Sequence, residues 1–272
     1  MKALLLAGGI GTRLKPLTDF LPKCLAPIHG RPLIDYWLEL LLNQGVSEVL
    51  VNTHYLAPLV AEFLQRCSWS DRISIVCEER LLGTAGTILA NKAFFRDEPF
   101  LVAHADNLTI FDVRRFALRH ASRPLSTELT MMLFTADNPP SCGIVELDQL
   151  GVVRQFHEKV EFPPGDLANA AVYILEPTVL TFLAEIGRTE IDFSTEVIPS
   201  FLGRIFTFRN DDYHRDIGSM GSWLLAQRDF PFAPISRRSE NAWTQITARD
   251  NGHLSRIVTE LLTSFPPTAS QC

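Results

Sequence analysis

Short apolar runs alternate with segments of helical periodicity through the first part of the chain, and this alternation constrains the fold more than any other feature. The runs that predict buried strands are Ala3–Ala7, Glu48–Val51, Arg72–Val76 and Phe100–Ala103. The segments whose apolar residues recur at helical spacing are Pro32–Gln44, Pro58–Arg66 and Ile88–Phe95. Because strands separated by helices form a parallel sheet covered on both faces, we predict a mostly parallel α/β sheet with ligands at the carboxyl ends of its strands.

After about residue 125 the pattern becomes more antiparallel, since short strands follow one another with turns between them. These elements are predicted strands at Ser126–Thr135, Gly143–Leu147, Val152–Glu158, Ala170–Leu175 and Gly203–Phe208, and predicted helices at Thr178–Ile186, Ser194–Phe201 and Gly218–Asp229. We therefore expect one domain over residues 1–229, with halves over about 1–125 and about 126–229. Residues 230–272 are expected to form a C-terminal extension, helical or partly disordered, with a candidate helix at Leu254–Leu262.

The bulk composition disfavours several classes of protein. The 272 residues carry a formal net charge of −6, whereas a general nucleic-acid binder would carry a basic surplus. No apolar span of 18 residues occurs, so no membrane association is expected. The five cysteines are scattered and form no CxxC pair, which favours free thiols and a cytoplasmic location. The oligomeric state stays open, a homo-oligomer included.

A glycine-rich loop leaves the first predicted strand. Gly8, Gly9 and Gly11 are followed by Arg13, and Lys23 lies further along the same excursion. Glycines in this position can serve a tight turn alone, which is one interpretation. Consecutive backbone N–H groups also form a concavity that binds anions, and basic side chains beside it suit phosphate oxygens. Because this loop has both, we predict that it binds a polyphosphate.

Two well-known phosphate-binding loops do not fit the spacing. A P-loop needs Lys followed by Ser or Thr directly after its last glycine, and this chain has Thr12-Arg13 there. A dinucleotide-binding loop needs a third glycine where Leu14 stands, and it needs a helix that opens at the loop, whereas Pro16 and Pro22 create a long excursion. An NAD-linked oxidoreductase is therefore disfavoured.

The stretch LLAGGIGTRLKPLTDFLPKCLAPIHGRPLIDY, Leu5–Tyr36, closely resembles the signature of the sugar-1-phosphate nucleotidylyltransferases. Further motifs follow in that family's order: LLGTAGTI at Leu81–Ile88, HADN at His104–Asn107, FHEKV at Phe156–Val160, NAAVYIL at Asn169–Leu175 and HRDIGSMGSW at His214–Trp223. The resemblance covers about residues 1–229. It implies a Rossmann-like, mostly parallel sheet with flanking helices and a smaller antiparallel, sugar-binding portion. The half over about 1–125 would then be the nucleotide side and the half over about 126–229 the sugar side.

The resemblance also implies a reaction, in which a sugar 1-phosphate attacks the α-phosphorus of a nucleoside triphosphate and yields an NDP-sugar and pyrophosphate. The implied catalytic residues are Arg13, Lys23 and Lys159, and the implied cofactor is Mg²⁺, held by Asp106 and Asp216. The implied nucleotide-binding residues are Leu6, Ala7, Gly8, Gly9, Gly11, Thr12, Arg13, Glu78, Gly83, Thr84 and Ala85. The implied sugar-phosphate-binding residues are Asn107, Gly143, Glu158, Lys159 and Asn169.

Some of these residues have structural alternatives, and the chain departs from the family pattern at others. Asp216 could instead cap the helix that follows it, and Glu158 could be a solvated charge at a strand end. Ala105 and Ala171 stand where the family has glycines, and each adds a methyl group near the sugar. Val160 replaces the usual proline. The two added methyl groups bear on which sugar is accepted, whereas Val160 concerns the local backbone.

The base and the sugar are less constrained than the reaction. The loop CEERLLGTAGT, Cys77–Thr87, resembles that of GDP-mannose pyrophosphorylases, which favours GTP with mannose 1-phosphate or a heptose 1-phosphate. Uridylyl or thymidylyl transfer, N-acetylmuramic acid 1-phosphate included, is the alternative. A non-catalytic nucleotide-sugar-binding paralogue is disfavoured because every implied charged residue is present. A glycosyltransferase is disfavoured because Asp106-Asn107-Leu108 supplies no Asp-x-Asp.

Overall fold

Continuous apolar runs form the centre of the molecule, as their lack of polar alternation predicts for strands buried on both faces. The computed structural model describes residues 1–231 and 236–264. The predicted extension is therefore described only in part, and Cys272 lies outside the described residues.

The elements of the described residues are given in chain order. The strands are β1 (Ala3–Leu6), β2 (Pro27–Ile28), β3 (Arg31–Pro32), β4 (Val49–Thr53), β5 (Ile73–Cys77), β6 (Phe100–His104), β7 (Asn107–Ile110), β8 (Leu129–Thr135), β9 (Gly143–Leu147), β10 (Val153–Glu158), β11 (Leu167–Leu175), β12 (Ile205–Arg209) and β13 (Tyr213–Asp216). The helices are α1 (Leu33–Asn43), α2 (Ala57–Arg66), α3 (Gly83–Ala90), α4 (Lys92–Phe95), α5 (Val113–Ala121), α6 (Thr178–Glu185), α7 (Ile198–Ser200), α8 (Met220–Asp229), α9 (Arg237–Thr247) and α10 (Arg249–Ser264).

One large sheet carries both halves of the chain. Its first half is parallel, in the order β5-β4-β1-β6. Strand β11 pairs with β6 in the antiparallel sense and continues the sheet to β9 and β10, while β8 and β12 extend from β11 by a second path. The predicted α/β sheet is thus confirmed, and its antiparallel portion is joined edge to edge with the parallel one. Strands β7 and β13 pair in a small separate sheet.

Several segments differ from the sequence prediction. Helix α3 begins at Gly83 and not at Ile88. The carbonyl of the distant residue Ile191 accepts hydrogen bonds from the N–H groups of Ala85 and Gly86 in its first turn. Strand β7 and helix α5 were not predicted. The segment predicted as one helix over Ser194–Phe201 begins as a π-helical turn at Phe193–Val197 and ends as α7.

Apolar side chains are buried on both faces of the sheet. Alternate residues of β1 point to opposite faces, so that Leu4 lies in one apolar cluster and Leu5 in the other. Both side chains are fully buried. No helix within residues 1–231 and 236–264 is long and apolar enough to cross a membrane.

The two C-terminal helices pack on the first half of the chain. Trp243 of α9 is 7% exposed and contacts Phe63 of α2 edge to face, with ring centroids 6.4 Å apart. His253 of α10 contacts Phe20 in the same geometry at 5.3 Å. Phe20 lies in the excursion between the glycine loop and Lys23, so α10 supports that excursion from outside.

A buried histidine joins α5 to the sheet. His120 is 5% exposed, its Nδ1 lies 2.7 Å from Thr130 Oγ1, and its Nε2 lies 2.9 Å from Glu176 Oε1. Arg123 pairs with the same Glu176 oxygen at 2.5 Å. Burial lowers the pKa of His120 below its ordinary value of 6.5, with Arg123 adding to this effect and Glu176 opposing it. The folded protein therefore holds this imidazole neutral more strongly than the unfolded chain does.

This pKa shift predicts a loss of stability in mild acid. The folded-state pKa lies below the unfolded-state value, so the contribution is fully present above about pH 6.5 and is lost as the pH falls below it. Relative to His120→Gln, we expect the free energy of unfolding of the wild type to fall by up to about 1.4 kcal/mol more per pH unit in that range. Urea unfolding at neutral and mildly acidic pH measures this difference. Parallel pH profiles of the two proteins would contradict it.

Candidate active site

The glycine loop is an open bend with unused hydrogen-bond donors. Among the described residues, no acceptor takes the backbone N–H groups of Gly8 to Gly11. Gly9 is exposed, and a Cβ added to it would meet no atom within 4 Å. Gly11 has a φ of +69°, a conformation that side chains disfavour. Successive free amides beside Arg13 therefore form the kind of concavity that holds phosphate oxygens.

Buried polar side chains fix the start of this bend. The N–H of Ala7 donates to Asn52 Oδ1 at 2.8 Å, and Asn52 Nδ2 donates to Glu78 Oε1 at 3.1 Å. Thr87 Oγ1 donates to the same oxygen at 2.6 Å. Glu78, which is 7% exposed, thus links the glycine loop to the motif Leu81–Ile88, which is the second predicted nucleotide loop. These donors stabilise the fold, because a carboxylate that is buried without hydrogen-bond partners has an unfavourable free energy.

Two carboxylates that are far apart in sequence share one lysine. Lys23 Nζ lies 2.7 Å from Asp106 Oδ2 and 3.2 Å from Asp216 Oδ1. Asp106 follows β6, and Asp216 ends β13, which pairs with β7. Asp216↔Asn107 is the last pair of that small sheet, so the pairing brings Asp216 beside Asp106. The two aspartates to which the resemblance assigned one metal ion therefore lie side by side in the structure.

These charges hold one another in the ionised state. Desolvation alone would raise the pKa of Asp106, and the Lys23 ammonium together with His104 holds it below its ordinary value. Desolvation alone would lower the pKa of Lys23, and both aspartates hold it above its ordinary value. The ion pair is thus formed at neutral pH, with both groups charged.

The side chains of Arg13 and Asp216 both lie close to Gly218. A Cβ added to Gly218 would lie 2.5 Å from Asp216 Oδ2 and 3.0 Å from Arg13 Nη2. Asp216 does not cap the following helix, since Ser219 accepts the hydrogen bond from Ser222 N at the start of α8. The capping alternative is therefore wrong, and the Asp216 carboxylate stays with Lys23.

The predicted sugar-side residues lie on paired strands next to this cluster. Lys159 Nζ lies 3.1 Å from Glu158 Oε1, and Lys159 is the more exposed of the two. Glu158 is paired with Gly143 across β9 and β10, and a Cβ on Gly143 would lie 2.7 Å from Glu158 Oε2. Burial raises the pKa of the Cys142 thiol, and Asp216, Glu158 and Lys159 are among the charges that act on it. Glu158, Lys159 and Asp216 therefore lie around Cys142.

Asparagine side chains hold a bulge in β11. Asn107 is 5% exposed and donates from Nδ2 to the carbonyl of Ala170 at 3.1 Å. Asn169 donates from Nδ2 to the Tyr173 hydroxyl at 2.7 Å, and its Oδ1 accepts from the N–H of Ala171 at 2.9 Å. Ala171 has a φ of +53°, which explains why glycine suits this position. Both predicted sugar-binding asparagines therefore shape the strand itself.

A closing segment, residues 189–193, packs against the second predicted nucleotide loop, and the sequence analysis did not single it out. The N–H of Ala85, a fully buried residue, donates to the carbonyl of Ile191 at 3.0 Å. A Cβ on Gly83 would lie 2.5 Å from the same carbonyl oxygen, and one on Gly86 would lie 2.2 Å from that of Thr189. Thr84 Oγ1 accepts from Phe193 N at 2.8 Å. Gly83 and Gly86 were the sequence signal of this contact, since glycine often marks a position that another backbone segment approaches closely.

A cavity of about 490 Å³ lies between this loop and the closing segment. It is lined by Gly83, Arg188, Thr189, Glu190, Asp192 and Glu196. Arg188 and Glu196 form an ion pair within it. The predicted residue Gly83 therefore borders a recess, whereas Ala85 lies in the interior.

His214 lies near the acidic pair without serving as a charge. Its ring packs on Phe134 with centroids 4.3 Å apart, and burial lowers its pKa to about 3. Within residues 1–231 and 236–264, no group of three or more His, Cys, Asp or Glu side chains is arranged to hold a metal ion. A divalent ion at Asp106 and Asp216 would need its further oxygen ligands from a bound phosphate or water.

Comparison with known proteins agrees with this geometry. The family model described as nucleotidyl transferase matches residues 2–231. A probable mannose-1-phosphate guanylyltransferase 2 of Oryza sativa subsp. japonica is 31% identical over 249 residues, which cover 89% of this chain and 67% of the relative. The mannose-1-phosphate guanylyltransferase of Mycobacterium tuberculosis is 32% identical over 232 residues, which cover 84% of this chain and 64% of the relative. The chain thus spans about two thirds of these relatives.

Solved structures share the fold. A putative glucose-1-phosphate thymidylyltransferase from Bacillus anthracis superposes with a TM-score of 0.76 at 20% identity, over 89% of this chain and 99% of that one. HddC from Yersinia pseudotuberculosis, in complex with GMP-PN, superposes with a TM-score of 0.72 at 25% identity, over 85% of this chain and 99% of that one.

The left-handed conformation of Ala171 predicts a stabilising substitution. Glycine adopts a positive φ without the steric cost that alanine has there, so we expect Ala171→Gly to raise the free energy of unfolding by about 0.5 to 1 kcal/mol. The neighbouring residue Ala170 has no positive φ and is fully buried. Ala170→Gly should therefore destabilise the protein, by about 1 kcal/mol. Urea unfolding of both variants measures the contrast, and equal destabilisation by both would contradict it.

Proposed function

Because the chain belongs to the nucleotidyl transferase family, we propose that it transfers a nucleotidyl group from a nucleoside triphosphate to a sugar 1-phosphate and releases pyrophosphate. The observation that carries this proposal is the contiguity of an anion-binding bend with a charged cluster. A Cβ on Gly11 would lie 3.1 Å from Lys23 Cβ, so the bend that offers free N–H groups rests directly on the lysine shared by the two aspartates. A triphosphate on the bend would have its negative charges beside Arg13 and Lys23.

The two aspartates fit a magnesium ion. Both are carboxylates that already converge on one cation, the Lys23 ammonium, and Mg²⁺ prefers one or two carboxylates together with phosphate oxygens. Asp106 and Asp216 would hold the ion, which when bound neutralises charge on the phosphates. Family membership supports a divalent cofactor in general, and its identity as Mg²⁺ is part of this proposal.

The protein's own residues position the reactants and neutralise charge. The loop amides and Arg13 hold the triphosphate, and Lys23 stabilises negative charge at the α-phosphate as the sugar phosphate attacks in line. Lys159 neutralises the incoming sugar phosphate, which the triphosphate would otherwise repel. Its side chain is 67% exposed, so it can reach a ligand without breaking a buried contact. Loss of one such cation typically costs on the order of 3 kcal/mol of barrier.

We propose GTP and mannose 1-phosphate, or a heptose 1-phosphate, as the substrates. Support comes from the guanylyltransferase names of the relatives and from the GMP-PN complex of HddC. Uridylyl or thymidylyl transfer is the second candidate, because the Bacillus anthracis neighbour is named a thymidylyltransferase. On this proposal the nucleotide side is the half over about 1–125 and the sugar side the half over about 126–229.

We also propose a cytoplasmic location. The cysteines of the described residues, Cys24, Cys67, Cys77 and Cys142, are all free thiols. Free thiols are usual in a reducing compartment.

An assay of pyrophosphate release tests the reaction and the substrates together. Purified protein with Mg²⁺ is offered GTP, UTP, dTTP, CTP and ATP, each with a panel of sugar 1-phosphates. We expect product with GTP and mannose 1-phosphate or a heptose 1-phosphate. Asp106→Asn should lose magnesium-dependent turnover, because it removes one of the two carboxylates that hold the ion. Product with UTP alone would refute the choice of base, and binding without product in the wild type would indicate a non-catalytic sensor.

A methyl group at Gly218 should impair turnover more than folding. Gly218→Ala places its Cβ against Asp216 Oδ2 and Arg13 Nη2, which are ends of flexible side chains and can move. We expect a normal melting temperature and a fall in kcat of about 10- to 100-fold, because displaced charged groups no longer match the reacting phosphates. Gly221→Ala is the matched control, since a Cβ there meets no atom within 4 Å. Equal kcat values for the two variants would contradict the placement of this site.

A further inference from the structure

We infer that Lys23 is a built-in counter-ion that keeps free divalent cations out of the Asp106–Asp216 site until a nucleotide draws its ammonium away. This inference rests on the proposed function, because it assigns the two carboxylates to the metal of that reaction. It adds an order of events: the protein takes up its divalent ion together with the nucleoside triphosphate.

The ammonium occupies the point where the two carboxylates converge. It lies 2.7 Å from an oxygen of Asp106 and 3.2 Å from an oxygen of Asp216. Among the described residues, Lys23 is the only Lys or Arg within ion-pairing distance of either carboxylate. A divalent ion bound by the same pair of carboxylates would lie against this ammonium, and like charges that close repel strongly in a partly desolvated site.

The Lys23 side chain is almost fully buried, so water does not readily take the place of its ammonium beside the carboxylates. Its side chain is 9% exposed, whereas the Asp106 and Asp216 side chains are 36% and 55% exposed. The lysine therefore approaches the carboxylates from the interior and leaves their outer sides open. Because the tether keeps the local concentration of this ammonium high, a free metal ion competes with a cation that cannot diffuse away.

The base of the Lys23 side chain is fixed next to the glycine loop. Lys23 opens a 3₁₀ turn over Lys23–Leu25, in which Ala26 N donates to the Lys23 carbonyl at 3.0 Å. Its Cβ packs under Gly11 of the glycine loop. On this inference, rotation about the outer side-chain bonds moves Nζ from the carboxylates to anionic groups held on that loop. A triphosphate there offers the ammonium another set of anions and frees the carboxylates for the ion.

The coupling is reciprocal and can be measured without any reaction. Because the nucleotide raises the affinity for the ion, the ion must raise the affinity for the nucleotide by the same factor. The probe is Mn²⁺, whose binding is followed by electron paramagnetic resonance, with and without a non-hydrolysable GTP analogue. We expect the wild type to bind Mn²⁺ at least tenfold more weakly without the analogue than with it. Equal Mn²⁺ affinity in the two conditions overturns the inference, and this arm needs no variant.

Variants of the excursion identify the lysine as the cause. Without nucleotide, Lys23→Met should bind Mn²⁺ at least tenfold more tightly than the wild type, because the competing ammonium is gone. Adding Asp106→Asn to that variant should abolish the gain. Lys15→Met is the matched control, since Lys15 pairs with Asp19 at 2.8 Å on the exposed side of the same excursion. It should leave the Mn²⁺ affinity unchanged.

Folding of the variant is checked in the same series. Lys23→Met leaves two carboxylates without their counter-ion, so we expect a lower melting temperature that Mg²⁺ raises more than it raises that of the wild type. Unchanged or weaker Mn²⁺ affinity in a folded Lys23→Met protein overturns the inference. If the wild type forms product, but neither the nucleotide analogue nor Lys23→Met changes the Mn²⁺ affinity, only the inference fails. If no variant binds Mn²⁺ under any condition and the wild type forms no product, the proposed function fails with it.

Discussion

The attraction between one buried lysine and two carboxylates organises this site. Asp106 and Asp216 would repel each other if they met without a cation, and Lys23 removes that repulsion at distances of 2.7 and 3.2 Å. The pairing of β7 with β13 brings the second carboxylate to the first. The glycine loop packs on the same lysine, so the anion-binding bend and the acidic pair cannot be placed independently of each other.

Several predicted site side chains also hold the protein's own loops and strands in place. Glu78 ties the two nucleotide-side loops together through Asn52 and Thr87. Asn107 and Asn169 hold the bulge of β11. Such supporting contacts matter because charged groups that position phosphates must be held within a fraction of an ångström. The recess beside Gly83 arises in the same way, from a segment that closes over α3.

Prediction from sequence succeeded where one local pattern decides the outcome. Ala3–Ala7 is continuously apolar and forms β1, and the helical spacing over Pro32–Gln44 forms α1. It failed where a distant contact decides the outcome. Helix α3 begins at Gly83, where the carbonyl of Ile191 accepts from the N–H groups of Ala85 and Gly86 in the first turn. Strand β7 exists only as the partner of β13, and a four-residue strand of that kind has no strong local signal.

Local patterns were enough to predict the parallel sheet, the glycine bend and the charged residues, because apolar periodicity, glycine spacing and side-chain chemistry are local properties. The packing of distant segments was needed to show that Asp216 pairs with Lys23 and does not cap α8, and that Ala85 is interior while Gly9 is exposed. Those outcomes depend on which segments pack together across more than a hundred residues. The balance of burial and charge that selects among such packings is a property of the whole fold, which no short stretch of sequence contains.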